Sequence, residues 1–120
     1  MTVTTGPVRI ALAGCGAVSS HYYVPALQEL QRAGEVMLAA VFDPDKVSAE
    51  RLAAQFPAVV VADSFDALQA VAFDLAVVAS PPTLHASQSI QLLRAGRAVL
   101  CEKPMATTLV DAQAMVAAAA

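Results

Sequence analysis

The chain has 120 residues, of which 58% are hydrophobic and 14% charged, so it can form one domain with its own core. Its net charge of −3 gives no electrostatic basis for binding nucleic acid. No apolar run reaches the ~18 residues of a membrane span, and two cysteines do not make a disulfide framework. We therefore expect a cytoplasmic protein that binds neither nucleic acid, membrane nor metal, with a flexible tail over residues 1–7.

A predicted strand over residues 8–13 leads into a glycine-rich turn and then a helix. The first glycine allows a tight turn, the second lets a phosphate approach the backbone, and the helix start offers unpaired N–H groups. Ser19 stands where this dinucleotide-binding pattern usually has Gly or Ala, which weakens the motif. A glycine turn without a ligand is the alternative. The residues expected to bind the cofactor here are Gly14, Cys15, Gly16, Ala17 and Val18.

The helix predicted for residues 17–33 contains Pro25, which should kink or restart it, and Gly34 should end it. The second strand, over residues 36–42, has no polar alternation, which is typical of a parallel strand covered on both faces. It is followed by Asp43, at the position where dinucleotide-binding folds place an acidic residue on the ribose hydroxyls. A simple turn residue before a proline is the alternative role for Asp43.

The rest of the sequence alternates between helical and strand patterns and contains no linker. Helices are predicted over residues 46–56, 64–70, 83–95 and from 107 or 108 onward, and strands over residues 58–62, 75–79 and 98–101. This alternation predicts a parallel sheet, and the glycine loop favours a Rossmann-type doubly wound α/β fold with five strands in the order 3-2-1-4-5. Residues 14–16, Asp43, 80–82 and 102–104 should then converge on one crevice at the carboxyl ends of the strands.

Two stretches of the second half resemble the Gfo/Idh/MocA oxidoreductase family. They are residues 79–85, ASPPTLH, and residues 93–104, LRAGRAVLCEKP. The most specific part is the Glu102-Lys103-Pro104 signature at this distance behind the two prolines and His85. The first half, from Gly14 to Asp43, is similar to the family as well, so the resemblance covers nearly the whole chain.

The resemblance implies an NAD-binding domain, with NADP also possible, of an oxidoreductase that acts on a sugar, cyclitol or polyol. It also implies that residues 8–120 are the N-terminal half of a two-domain protein, whose second domain supplies the substrate-binding sheet and a catalytic histidine. From the high hydrophobic content we expect self-association and a homo-oligomer. Catalysis falls to Lys103, for which an ordinary surface lysine is the alternative. The resemblance assigns further cofactor contacts to Ser80, Pro81, Pro82, His85, Glu102 and Lys103. For His85, a ring satisfied by nearby backbone groups is the alternative.

Two other functions stay open at this point. A non-catalytic NAD(P)-binding sensor or repressor could have the same fold, and the second domain would decide between the two. A methyltransferase could use the glycine loop and Asp43 for its cofactor, but residues 102–104 would then have no role. Within the leading hypothesis, Asp43 predicts a preference for NAD, because its carboxylate would repel the 2′-phosphate of NADP.

The two cysteines, Cys15 and Cys101, are expected to be unpaired residues that fill space in the core. They end the first and fifth predicted strands, which the fourth strand separates. Two strand spacings put them about 10 Å apart. That distance exceeds the ~7 Å limit between the Cα atoms of a disulfide.

Overall fold

The computed structural model describes residues 6–120, and within them five strands form one parallel sheet. The strands are β1 (Val8–Ala13), β2 (Val36–Phe42), β3 (Val60–Val61), β4 (Leu75–Val78) and β5 (Ala98–Cys101). Their order is β3-β2-β1-β4-β5, which confirms the predicted topology. Of the tail predicted at residues 1–7, residues 1–5 lie outside the described part of the chain.

Four helices of the described chain connect consecutive strands, and a fifth follows the last strand. They are α1 (Val24–Arg32), α2 (Lys46–Ala53), α3 (Phe65–Gln69), α4 (His85–Arg94) and α5 (Leu109–Ala119). A π-helical segment, Ser19–Tyr23, leads into α1, and a 3-10 turn, Pro82–Leu84, leads into α4. From residue 6 to residue 120, none of the helices is both long and apolar enough to cross a membrane.

The predicted disturbance around Pro25 takes the form of this π-helical segment. The backbone N–H of Val24 donates to the carbonyl of Ser19, five residues back, instead of four. Proline has no N–H to continue the ordinary helical ladder, so the irregular turn lies directly before it. The helix also ends at Gly34 as predicted, since this glycine adopts a φ of +78° just after α1.

The sheet buries both of its faces, and the two faces differ in side-chain size. Large residues such as Leu12 and Leu38 pack against α1 and α2, whereas alanines such as Ala11 and Ala76 face α3 and α4. Alternate residues of a strand point to opposite faces, so β1 contributes to both layers. This two-sided burial accounts for the apolar runs of the strands.

The α5 end of the molecule is packed much less well. Met115 is the buried residue of this helix, whereas Leu109, Val110 and Val116 are each more than 60% exposed. The adjacent strand β5 is an edge of the sheet. Part of the high hydrophobic content of the chain therefore forms an exposed apolar surface at this end.

Candidate functional site

Gly14 is the residue on which the crevice is built. Its φ is +103°, and a Cβ at this position would lie 2.6 Å from the backbone nitrogen of Ser80 and closer still to the Ala79 carbonyl. Its own N–H donates to the carbonyl of Phe42 at 2.8 Å. Only glycine fits here, because both the conformation and the contact with the end of β4 exclude a side chain.

The next residues of the loop are exposed to solvent. Gly16, Ala17 and Val18 are exposed, and a Cβ on Gly16 would meet no atom within 4 Å. Helical conformation begins at residue 17, so the N–H groups of this first turn have no partner one turn earlier. This combination of free donors, helix dipole and open space suits an anion.

Cys15 departs from the expected role. Its N–H donates to Oδ2 of Asp43 at 2.8 Å, so this group is occupied within the protein, as is the N–H of Gly14. The predicted backbone contacts with pyrophosphate therefore narrow from residues 14–18 to residues 16–18. The Cys15 side chain is buried, and this burial, together with the nearby Asp43 charge, raises the pKa of the thiol to about 12. Cys15 is the inert filler that was expected.

Asp43 makes the turn contact that was the alternative role and also holds the glycine loop. Its Oδ1 accepts from the N–H of Asp45 at 2.8 Å, which is a turn contact, while Oδ2 ties β2 to the glycine loop. Each carboxylate oxygen has a second lone pair. The side chain is half-buried, so it can still accept a hydrogen bond from a ligand in the crevice.

Ser19, which seemed to weaken the motif, closes the loop instead. Its side chain is buried, and its hydroxyl donates to the carbonyl of Gly14 at 2.6 Å. A small residue is needed at this position for packing, and serine adds a hydrogen bond across the turn. The sequence could have indicated this role, since serine is small and its hydroxyl can donate a hydrogen bond.

A cavity of about 150 Å³ lies between the loops that follow β2 and β4. Its walls are mostly apolar, and Asp43 supplies a carboxylate. The lining residues are Gly14, Phe42, Asp43, Pro44, Ser80, Pro81, Leu84 and Gln88. Sequence reasoning missed Phe42, Leu84 and Gln88, and it included Pro82, which belongs to the adjacent 3-10 turn and does not line the cavity.

His85 lies behind the cavity and not in it. The ring is 1% exposed, with Nδ1 at 2.7 Å from the carbonyl oxygen of Pro104 and Nε2 at 2.6 Å from that of Ser80. The imidazole thus joins the loop after β4 to the loop after β5. This geometry does not support the expected cofactor contact and favours the alternative, a histidine satisfied by backbone groups.

The loop after β5 carries the remaining candidates. Glu102 accepts from the Tyr23 hydroxyl at 2.7 Å through Oε2 and from the Lys103 N–H at 3.1 Å through Oε1, and these bonds lower the pKa of its carboxyl. Burial, and then the bond to Glu102, raise the pKa of the Tyr23 phenol to about 12.

Lys103 itself is exposed, and its ammonium makes no hydrogen bond or ion pair with the described residues. The peptide bond between Lys103 and Pro104 is cis. Cys101 and Cys15 are both free thiols, which confirms that they are unpaired.

Within residues 6–120, no group of three or more His, Cys, Asp or Glu side chains could hold a metal ion.

Comparison with known proteins identifies relatives across the chain. The Gfo/Idh/MocA family model, described as an oxidoreductase family with an NAD-binding Rossmann fold, matches residues 8–120. Inositol 2-dehydrogenase of Rhodococcus erythropolis is 35% identical over 94% of this chain and 32% of its own length. The chain thus spans about a third of the length of the curated relatives it matches.

Solved structures give the same picture. The WlbA dehydrogenase from Chromobacterium violaceum, in complex with NADH and UDP-GlcNAcA, superposes with a TM-score of 0.89 and 32% identity, over 98% of this chain and 33% of that one. The 3-ketoreductase KijD10 from Actinomadura kijaniata, in complex with NADP and TDP-benzene, gives a TM-score of 0.82 and 28% identity, over 94% and 34%. Both nicotinamide cofactors therefore occur among its structural relatives.

Proposed function

The chain belongs to the Gfo/Idh/MocA oxidoreductase family, and on that premise we propose that it is the cofactor-binding part of a dehydrogenase acting on a sugar, cyclitol or polyol hydroxyl. The observation that carries the proposal is the exposed start of the helix at residues 16–18, next in the chain to the glycine loop whose Gly14 lines a cavity together with Asp43. The inositol and nucleotide-sugar enzymes among its relatives support the substrate class.

The residues of the crevice fit a dinucleotide. The N–H groups of residues 16–18 would hold the pyrophosphate, since they lie at the start of a helix and Gly16 has open space around its Cα. The apolar walls around Pro81 and Leu84 suit a flat adenine ring, and Asp43 has lone pairs left for the ribose hydroxyls. When bound, the nicotinamide supplies the hydride acceptor or donor.

Lys103 is the residue we assign to the chemistry. As a cation it would donate a hydrogen bond to the substrate hydroxyl and stabilise the alkoxide that develops there, while a base in a substrate domain takes the proton. Removing one such donor typically costs ~10²–10³ in turnover. Lys103→Ala should therefore impair catalysis far more than cofactor affinity, because residues 16–18 hold the phosphates.

The remaining proposals concern the class of protein, its compartment and its assembly. The relatives named above are dehydrogenases and a ketoreductase, which favours an enzyme over the sensor and the methyltransferase. We place the protein in the cytoplasm as a homo-oligomer, since the exposed apolar residues of α5 favour association. The chain alone should bind cofactor without oxidising a polyol.

The test of the proposed function is titration calorimetry of this chain with NAD⁺ and with NADP⁺. We expect NAD⁺ to bind about tenfold or more tightly, because Asp43 would repel a 2′-phosphate. Asp43→Asn, which keeps the shape of the side chain, should reduce this preference. Absence of NAD⁺ binding would overturn the proposal, and equal or tighter binding of NADP⁺ would overturn the role of Asp43.

A further inference from the structure

The π-helical segment Ser19–Tyr23 is attached to the glycine loop at its start. The Ser19 hydroxyl donates to the carbonyl of Gly14, and the Ser19 carbonyl accepts from the N–H of Val24. The same serine therefore fixes both the turn of the loop and the irregular turn of the helix. Single π turns inside α-helices are frequent at functional sites.

The other end of this segment reaches the loop after β5. Tyr23 is half-buried, and its ring packs against the core on the α1 side of the sheet. Its hydroxyl meets Glu102, 79 residues further along the chain, and the other oxygen of Glu102 accepts from the backbone N–H of Lys103. A continuous path of contacts thus runs from the phosphate-facing backbone to Lys103.

The neighbouring residue, Tyr22, shows that this contact is specific. It is 73% exposed, and its hydroxyl has no hydrogen bond to any residue the structure describes. A π turn contains one residue more than an α turn, so it changes which side chain faces the sheet. Two adjacent tyrosines of equal chemistry therefore differ in burial and in contact with Glu102.

We propose that Tyr23 is a positioning residue that holds Glu102 and the Lys103 backbone in a fixed place relative to the glycine loop. The proposal rests on the proposed function, which assigns phosphate binding to residues 16–18. An anion bound there immobilises the first turn of the helix, and the charge-assisted bond from Tyr23 to the Glu102 carboxylate transmits this order to the Lys103 loop. Tyr23 itself touches neither substrate nor cofactor.

The first test needs no ligand and compares Tyr23→Phe with the control Tyr22→Phe by NMR of this chain. In Tyr23→Phe, we expect the amide proton of Lys103 to move and the pKa of the Glu102 carboxyl to rise, because its strongest hydrogen bond is lost. Tyr22→Phe should leave both signals unchanged. Unaltered Lys103 and Glu102 signals in Tyr23→Phe would overturn the proposal.

A second variant guards against poor folding of the first. In the unsubstituted protein the Tyr23 ring should titrate near pH 12, and Glu102→Gln should lower that value, since it removes the adjacent charge. A Tyr23 titration that Glu102→Gln does not change would contradict the contact on which the positioning depends.

The coupling is tested with ADP, which carries the adenosine and pyrophosphate but has no nicotinamide end to reach Lys103. ADP should shift the amides of residues 16–18 in all three proteins, and the Lys103 amide only in the unsubstituted protein and in Tyr22→Phe. An equal Lys103 response in Tyr23→Phe would refute the coupling. Silence at residues 16–18 would refute the proposed function, while the comparison without ligand would still decide the positioning role.

Discussion

The two ends of the crevice are built in different ways. At the glycine-loop end, residues 14–18 are held by backbone conformation and by nearby contacts with Asp43 and Ser19. At the Lys103 end, residues 102–104 are held by side chains from elsewhere, namely His85 and Tyr23. The difference indicates that the proposed cofactor contacts depend on the conformation of the glycine loop, whereas the position of Lys103, to which we assign the chemistry, depends on side chains from distant parts of the sequence.

The largest effect should come from breaking the glycine-loop end with Gly14→Ala. Positive φ and collision with the backbone of residues 79–80 should destabilise the protein by about 4 kcal/mol. Urea unfolding measures this, with Gly16→Ala as the matched control, since a Cβ there meets nothing. Equal stability of the two variants would show that Gly14 is not the constrained residue.

At the Lys103 end, His85→Ala should also destabilise the protein, by about 3 kcal/mol, because it removes the contacts of the buried ring with two backbone carbonyls and leaves a cavity. His21→Ala, at an exposed position of the π-helical segment, is the control and should change stability by less than about 0.5 kcal/mol. A loss below about 1 kcal/mol in His85→Ala would mean that the two loops are joined in another way.

Alkaline pH should destabilise the glycine-loop end through the Cys15 thiol, by less than either substitution above. The Cys15 thiol, with a pKa of 9.0 when unfolded and about 12 when folded, stays protonated in the native state while the unfolded chain loses its proton. The stability it contributes is full below pH 9 and falls as pH rises, by about 2 kcal/mol at pH 10.5. Urea unfolding of Cys15→Ala should show an alkaline loss smaller by this amount, and identical pH profiles would exclude the thiol as the cause.

The fold was predictable because its signals are local. Apolar runs marked the strands, Gly34 and Gly96 end helices with positive φ, and Thr108 caps α5 by accepting from the N–H of Asp111. The least predictable strand was β3, which spans Val60–Val61 although the apolar pattern was longer. The extent of β3 is set by its pairing with β2 and not by its own composition.

The sequence predicted correctly that Gly14 and Asp43 meet at one end of the sheet, where both line the cavity. The positions of Gly14, Gly16 and Asp43 follow from their spacing around the first two strands. The bond between Tyr23 and Glu102 could not be foreseen, because it depends on a π turn that no hydrophobic period announces. A regular helical period places Ala26 and Leu30 on the same face as Tyr23, yet both are exposed, and Val24 is buried instead.

The central claim is that the exposed backbone at residues 16–18 binds the cofactor independently of Lys103. Calorimetry with NAD⁺ on Gly16→Val, Lys103→Ala and the control Gly6→Val tests it most directly, because Gly6 and Gly16 both have open space around the added side chain. We predict that Gly16→Val weakens NAD⁺ binding by about tenfold or more, while the other two variants stay within about twofold. Unchanged NAD⁺ affinity in Gly16→Val, or a loss in Lys103→Ala as large as in Gly16→Val, would contradict the claim.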